Sequence, residues 1–174
     1  MVLPIVLYGD PVLRRKAAPV EQITPEIEQL ASEMIETMIG ANNGVGLAAP
    51  QVGRSLRLFV LRDEIIDSSG EYAFSPPEVV INPVFSSPSK ELLTASEGCL
   101  SLPRIEVDVA RPSTIHVRYQ NLKGEFLEED LKDFRARIFM HENDHLNGTL
   151  IIDRISSQER NRLDPFLRKI KARR

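Results

Sequence analysis

The segment Asp133-Phe-Arg-Ala-Arg-Ile-Phe-Met-His141-Glu142-Asn143-Asp144-His145-Leu-Asn-Gly148 decides the architecture of this chain. Its apolar residues recur at helical spacing, Asp133 is a suitable N-cap, and Gly148 is placed for a left-handed C-cap. The segment therefore predicts a helix over residues 134–147. Positions four apart in a helix lie within about 40° of each other, so His141 and His145 project from one face towards one cation. Because that face is otherwise apolar, burying unpartnered imidazoles would be costly, which favours a metal site over a chance pattern.

Glu142 stands between the two histidines, where a carboxylate can take a proton from a water at the metal without being a ligand. Two histidines need at least a third protein ligand. The metalloprotease class that adds a third histidine is a poor match, because Ile151 occupies that position and no histidine follows His145. A protease that uses a downstream glutamate would have only Glu159, which capping of a later helix explains.

The single cysteine, Cys99, lies in Ser96-Glu97-Gly98-Cys99-Leu100-Ser101. A lone cysteine is more often a small buried apolar residue than a ligand. Here it follows a predicted strand and occupies a turn, from which a thiolate can reach the helix. One thiolate and two imidazoles leave a fourth position open, as in catalytic metal sites, and a thiolate favours Fe(II) or Zn over Mg or Ca.

A third segment, Gly44-Val45-Gly46-Leu47-Ala48-Ala49-Pro50-Gln51, is rich in small residues. A phosphate-binding loop would need Lys, Ser or Thr and a following helix, and Pro50 argues against a helix start there. Such glycines also allow a substrate backbone to approach closely, and the Gln51 amide can donate a hydrogen bond to a developing oxyanion.

The remaining sequence indicates the fold class. Thr24 and Pro25 begin an amphipathic helix over residues 25–40. Beyond residue 56, short apolar runs alternate with turn residues without a long helix between them, which predicts antiparallel strands rather than a parallel α/β sheet. The predicted strands cover residues 56–61, 78–82, 91–95, 105–109, 114–120 and 126–131, with His116 facing outward. We therefore expect an α+β fold with antiparallel β-sheets around a central H-E-x-x-H helix, flanked by an N-terminal and a C-terminal helix.

The C-terminal residues 156–174 predict a basic helix. It begins with the capping box Ser156-x-x-Glu159, and Asp164-Pro165 predicts a kink or a restart. Residues 154–174 include eight basic and two acidic residues, which gives this segment a net charge of +6. Since the whole chain has a net charge of −3, the rest of the chain has a net charge of −9. The asymmetry suits an acidic partner, and a solvated helix face explains it equally well.

Composition limits the class of protein. The chain has 174 residues, 42% of them apolar and 27% charged, which indicates one globular domain over residues 1–174. A single cysteine rules out an internal disulfide and favours a reducing compartment. No apolar run approaches the ~18 residues of a membrane span, and the first residues do not resemble a signal peptide. We expect a soluble protein of the cytoplasm or of an organelle lumen, with no membrane association and no sequence-specific DNA binding.

Together the three segments resemble the peptide deformylase family, whose pattern is G-x-G-x-A-A-x-Q, then E-G-C-L-S, then H-E-x-x-H with Asp before the last His. All three occur here in order, and the resemblance extends from about Leu7 into the third predicted helix. One departure is Met140, where the family often has Gln. The resemblance implies a metal-dependent hydrolase that removes the N-terminal formyl group from formyl-methionyl nascent polypeptides and releases formate.

The resemblance also implies a role for each site residue. The metal ligands would be Cys99, His141 and His145. The fourth position would hold water, and the metal would be Fe(II), with Zn, Ni or Co as substitutes. Glu142 would act as general base and then as general acid. The Gln51 side chain and the Leu100 backbone N–H would hold the oxyanion, while Gly46 would approach the substrate backbone.

Two further hypotheses concern the surroundings of this site. Arg111 and Asp144 would pair behind a metal ligand. The basic C-terminal helix would dock on ribosomal RNA near the peptide exit, through contacts that weaken with salt.

Two alternative functions stay open at this point. A metalloendopeptidase would leave Cys99 unexplained, and a metal-stabilised ribosome-binding module would need a fourth ligand, for which His116 is the only spare histidine.

Overall fold

The structure, a computed structural model, describes residues 1–41 and 43–173. Within these residues the helices are α1 (Pro25–Gly40), α2 (Asp133–Leu146) and α3 (Ser157–Lys171). The strands are β1 (Gly46–Ala48), β2 (Leu58–Leu61), β3 (Glu64–Ile66), β4 (Tyr72–Phe74), β5 (Glu78–Ser86), β6 (Leu92–Cys99), β7 (Leu102–Pro112), β8 (Thr114–Gln120) and β9 (Phe126–Lys132). Short 3-10 helices occur at Pro11–Arg14, Ala49–Val52 and Ile151–Asp153.

All the strand pairs between these elements are antiparallel, which confirms the predicted α+β class. Five strands form one sheet in the order β1-β2-β5-β8-β9, while β3–β4 and β6–β7 form two separate hairpins. Helix α2 packs on one face of the five-stranded sheet, where Phe139 meets Phe59 edge to face with ring centroids 5.5 Å apart. Helix α1 packs on the opposite face. None of the helices in residues 1–41 and 43–173 is both long and apolar enough to cross a membrane.

Helix α1 occupies the predicted residues 25–40. The Thr24 side chain accepts a hydrogen bond from the Ile27 N–H, and Pro25 takes the first helical position. The buried face carries Leu30 and Met34, which pack against β1, β2 and β5. Local capping and periodicity are both present in this segment, so its bounds could be predicted from sequence.

The start of α2 differs from the prediction, but its end does not. Asp133 is not the N-cap, because Lys132 holds that position and no side chain caps the helix. Asp133 itself has φ of 56°, which a short polar residue tolerates, and it turns the chain from β9 into α2. Gly148 has φ of 73°, as predicted for a left-handed C-cap. A Cβ there would also lie 2.5 Å from the Arg14 carbonyl oxygen.

Helix α3 is one continuous helix through Pro165, so the chain does not restart there. Pro165 lacks the N–H that would bond the Asn161 carbonyl, and both residues are exposed, so water can replace that bond. Ser156 caps the helix as predicted by accepting from the Glu159 N–H. The prediction for residue 174 lies outside the described residues.

The β6–β7 hairpin is longer than the predicted strands at 91–95 and 105–109. Strand β6 continues past the predicted residues to Cys99, and pairing with β7 orders this extension. In β7 the alternation is clear, with Ile105, Val107 and Val109 buried between exposed residues. Strands β1, β3 and β4 were not predicted, because three residues are too few for a periodic signal.

Candidate metal centre

The end of β6 and one face of α2 bring Cys99, His141 and His145 together. One donor atom from each lies within 4.8 Å of the other two, and Cys99 Sγ is 3.5 Å from His145 Nε2. Two atoms bound to one tetrahedral metal at about 2.3 Å (sulfur) and 2.1 Å (nitrogen) would be about 3.6 Å apart. The spacing and the donor chemistry of these residues therefore fit a single divalent cation.

Glu142 lies beside these donors, with Oε1 4.0 Å from His141 Nε2. The residue is buried, and Oε2 has no hydrogen-bond partner among the described residues. Burying a carboxylate oxygen without a hydrogen-bond donor costs free energy, so this atom is suited to accept a hydrogen bond from a molecule that enters the cavity. Burial raises the pKa of Glu142 to about 7.

Glu97 contacts His141 on the side of the imidazole ring that faces away from the donor cluster. His141 Nδ1 donates to Glu97 Oε1 at 2.8 Å, which leaves His141 Nε2 directed at the donor cluster. Arg111 donates to both carboxylate oxygens at 2.6 and 2.8 Å, and Arg137 donates at 2.6 Å. Burial alone would raise the pKa of Glu97, but the hydrogen bonds from Arg111 and His141 outweigh it and keep that pKa well below its usual range. Glu97 is therefore an anionic acceptor that fixes the imidazole ring.

Asp144 continues this buried network. It accepts from Arg111 Nη1 at 3.0 Å, so the two residues predicted to pair are in contact. Arg154 also donates to both Asp144 oxygens, at 2.6 and 2.7 Å. Sequence reasoning assigned no role to Glu97, Arg137 or Arg154. One signal could have found Glu97: a ligating imidazole needs an acceptor for its second nitrogen, and Glu97 belongs to the same motif as Cys99.

Gln51 reaches the donor cluster from the 3-10 helix that follows β1. Its Oε1 accepts from the Ala48 N–H at 3.0 Å, which turns the amide nitrogen outward. That nitrogen lies 3.2 Å from Ser101 Oγ and 3.5 Å from Cys99 Sγ. Leu100 lines the same cavity of about 730 Å³. The structure therefore brings both candidate oxyanion donors to the cavity that contains Glu142.

Gly46 also lines this cavity, at the free edge of the five-stranded sheet. A Cβ at this position would lie 2.5 Å from Glu142 Oε1. The backbone of β1 therefore lies against the carboxylate of Glu142, and only glycine permits this approach.

Two residues that could have supplied a further ligand are engaged elsewhere. His116 Nδ1 bonds Asp130 at 2.7 Å, and its Nε2 lies 3.3 Å from Glu128, both on β9. Glu159 lies in the first turn of α3, with its carboxylate 3.6 Å from Arg162. Among the described residues, the donor cluster therefore offers three residues that could hold a metal ion, and a tetrahedral cation there would have a fourth position for a ligand from solution.

Comparison with known proteins agrees with this geometry. The sequence pattern of the polypeptide deformylase family matches residues 2–161. A peptide deformylase of Thermotoga petrophila is 49% identical over 156 residues, which is 90% of this chain and 88% of that protein.

Solved structures agree as well. The crystal structure of peptide deformylase from Thermus thermophilus is similar with a TM-score of 0.85 at 41% identity, covering 99% of both chains. The Met-Ala-Ser-bound class I type b peptide deformylase from Acinetobacter baumannii gives a TM-score of 0.80 at 38% identity, covering 89% of this chain and 99% of that one. This chain therefore belongs to the peptide deformylase family, the metal-dependent hydrolases that remove the N-terminal formyl group from nascent polypeptides.

Proposed function

We propose that this deformylase holds its cation through Cys99, His141 and His145 and acts on formyl-methionine at the start of nascent polypeptides. The observation that carries the proposal is the cluster of three donor atoms within 4.8 Å of one another, beside a buried carboxylate in one cavity. Hydrolysis of the formyl amide adds water across the C–N bond and yields formate and a free amino group. The compartment we propose is one where translation starts with formyl-methionine, the bacterial cytoplasm or an organelle interior.

The metal that we propose is Fe(II), with Zn, Ni or Co as substitutes. When bound, the cation supplies Lewis acidity, which lowers the pKa of a nearby water towards neutrality. A thiolate with two imidazoles is a soft donor set that suits these metals better than Mg or Ca. The family resemblance favours Fe(II) within that group.

Glu142 is the residue that we propose moves the proton. Its carboxylate lies in the cavity 4.0 Å from His141 Nε2, where it can accept a proton from the attacking water and return it to the departing nitrogen. The unpartnered Oε2 supports this role, because the atom is free to take a hydrogen bond from water or substrate. Helix α2 fixes its position relative to His141.

Gln51 and the Leu100 backbone N–H are the donors that we propose for the oxyanion. The Gln51 amide nitrogen lies beside Cys99 Sγ, so a carbonyl oxygen near the cation would also be near this donor. Removing one such donor typically lowers the rate about 10²-fold. Gly46 and the free edge of β1 would then contact the substrate backbone.

Anaerobic purification with metal analysis tests the assignment. Metal-loaded wild type should release formate from formyl-Met-Ala-Ser, and Glu142→Ala should retain the metal but lose at least about 10²-fold in kcat. Glu125→Ala, an exposed change in the turn before β9 and away from the cavity, is the control and should keep full activity. Absence of formate release by metal-loaded wild type would contradict the proposal.

We also propose that the basic face of α3 docks on ribosomal RNA. Leu163, Leu167 and Ile170 are buried in the core, and on the rest of the helix Arg162, Arg168, Lys169 and Lys171 are exposed. Deleting the helix would therefore disturb folding as well as docking, so charge substitution is the sharper test.

The docking test compares two triple variants with the same net charge. Lys169→Gln with Lys171→Gln and Arg173→Gln should weaken co-sedimentation with ribosomes, and the loss should be largest at low salt. The control removes three exposed lysines from other parts of the surface: Lys90, Lys123 and Lys132. Equal co-sedimentation of both variants would contradict docking through α3.

A further inference from the structure

We propose that Arg62 is a positioning residue for the reaction, acting through the backbone of residues 43–46, here called the glycine segment. The inference rests on the proposed function, in which Gly46 contacts the substrate and Glu142 moves the proton. Arg62 directly follows β2, and only 9% of its surface is exposed, which is unusual for an arginine that has no carboxylate partner among its described contacts.

The contacts of Arg62 with the glycine segment are made by both its backbone and its side chain. The Arg62 N–H donates to the Val45 carbonyl at 2.9 Å, one pair beyond the last β1–β2 ladder partners. Its side-chain Nε donates to the Gly44 carbonyl at 2.8 Å. The side chain therefore adds a hydrogen bond to the glycine segment beyond the end of the β1–β2 pairing. Because the guanidinium is charged, this hydrogen bond is stronger than one from a neutral donor.

The glycine segment is held on its other side by α1. A Cβ at Gly44 would overlap the Met38 carbonyl oxygen, so the backbone lies directly against the end of that helix. At the far end of the segment, Gly46 lies against the Glu142 carboxylate. Arg62 therefore fixes a short backbone stretch that forms one wall of the cavity.

The hairpin β3–β4 holds the guanidinium in place. Arg62 Cζ lies 3.7 Å from the centre of the Phe74 ring, a cation–π distance. The base of the hairpin is fastened by two hydrogen bonds between Asp63 and Ser75, at 2.8 and 2.9 Å. Arg135 of α2 donates to Asp63 at 2.7 Å. A small hairpin without a core of its own is thus anchored so that Phe74 covers Arg62.

Steady-state kinetics with formyl-Met-Ala-Ser tests this inference. Arg62→Gln should raise KM by about tenfold, equivalent to about 1.4 kcal/mol. The reason is that a less firmly held sheet edge would weaken the binding of the substrate and of the transition state to the same extent. The kcat should change by less than about threefold, since Glu142 is held by α2 and not by the glycine segment. Arg62→Lys, which keeps the charge, should give a smaller rise in KM.

Phe74→Leu should reproduce part of the increase in KM, because it removes the ring but keeps an apolar side chain. The matched control is Phe126→Leu, which removes the ring that Arg118 covers at 4.6 Å on the β8–β9 surface. That control should leave KM unchanged.

Hydrogen exchange gives a readout that does not depend on activity. Amide exchange in residues 43–48 should be faster in Arg62→Gln than in wild type and unchanged in Phe126→Leu. The inference is overturned if the KM of Arg62→Gln equals that of wild type, if only kcat falls, or if exchange in this segment is unchanged. Failure of the proposed function would be seen separately, as absence of formate release by wild type.

Discussion

At the scale of single residues, Gly46 shows how closely the carboxylate of Glu142 and the sheet edge are packed. Its missing side chain leaves the space that Glu142 Oε1 occupies. The sequence pointed to a glycine that lets a substrate approach. In the structure the same glycine also meets the proposed general base.

Replacing Gly46 with alanine should therefore displace the Glu142 carboxylate. We expect kcat to fall by roughly 10²-fold, since proton transfer depends on that position, while the melting temperature changes little. The control is Gly40→Ala at the end of α1, where a Cβ meets nothing within 4 Å. A Gly46→Ala variant with wild-type kcat would show that Glu142 does not need this space.

Glu97 is a second single residue whose replacement should have a measurable effect, on metal affinity and on stability. As the acceptor for His141 and for two buried arginines, it should orient the ligand and also offset buried positive charge. Glu97→Gln should lower metal affinity by about 10–100-fold and the free energy of unfolding by about 3 kcal/mol. Chelator competition and urea unfolding measure the two effects.

The matched control for Glu97→Gln is Glu91→Gln, an exposed change just before β6. It should alter neither quantity. If Glu97→Gln bound metal as tightly as wild type, the hydrogen bond to His141 would not contribute to holding the cation.

At the scale of elements, the β8–β9 pair contains a titratable contact far from the cavity. The hydrogen bonds of His116 to Asp130 and then to Glu128 raise its pKa above the ordinary 6.5. Folding therefore favours the imidazolium form. The stabilisation is fully present below the unfolded pKa of 6.5 and is lost as pH rises through the higher folded pKa.

The difference in melting temperature between wild type and His116→Gln should thus be largest below pH 6.5 and should shrink as the pH rises through the higher folded pKa. Thermal unfolding across this range measures it. Glu125→Gln, an exposed carboxylate change in the turn before β9, should show a difference that does not vary over the same range. A constant difference for His116→Gln would mean that these hydrogen bonds do not favour the charged ring.

The elements also differ in how well the sequence predicted them. Helix α1 has a cap, a proline and a full apolar stripe, so its residues carry the signal locally. Strand β6 was predicted only over residues 91–95, and its extension to Cys99 is ordered by pairing with β7, which no local pattern encodes. The helix continues through Pro165 because the residues around it are exposed. The sequence pattern alone did not show that exposure, so it predicted a kink or a restart.

At the scale of the whole molecule, α3 is part of the core and not an added tail. Leu167 is 2% exposed and packs in a cluster with β7 and the 3-10 helix Ile151–Asp153. Leu167→Ala should lower the free energy of unfolding by about 3 kcal/mol. Phe166→Ala, at a neighbouring residue that is 54% exposed, should cost less than about 1 kcal/mol. Urea unfolding compares them, and equal losses would contradict this packing.

The sequence by itself determined the residue types of the donor set, the spacing of His141 and His145 on one helix face, and the α+β class. These depend on local periodicity and on the chemistry of individual side chains. Only the tertiary structure decided that Glu97 reaches His141, that Arg154 joins Asp144, and that Arg62 holds the glycine segment. All three contacts depend on strand register, helix placement and side-chain direction, which are set when the whole chain packs.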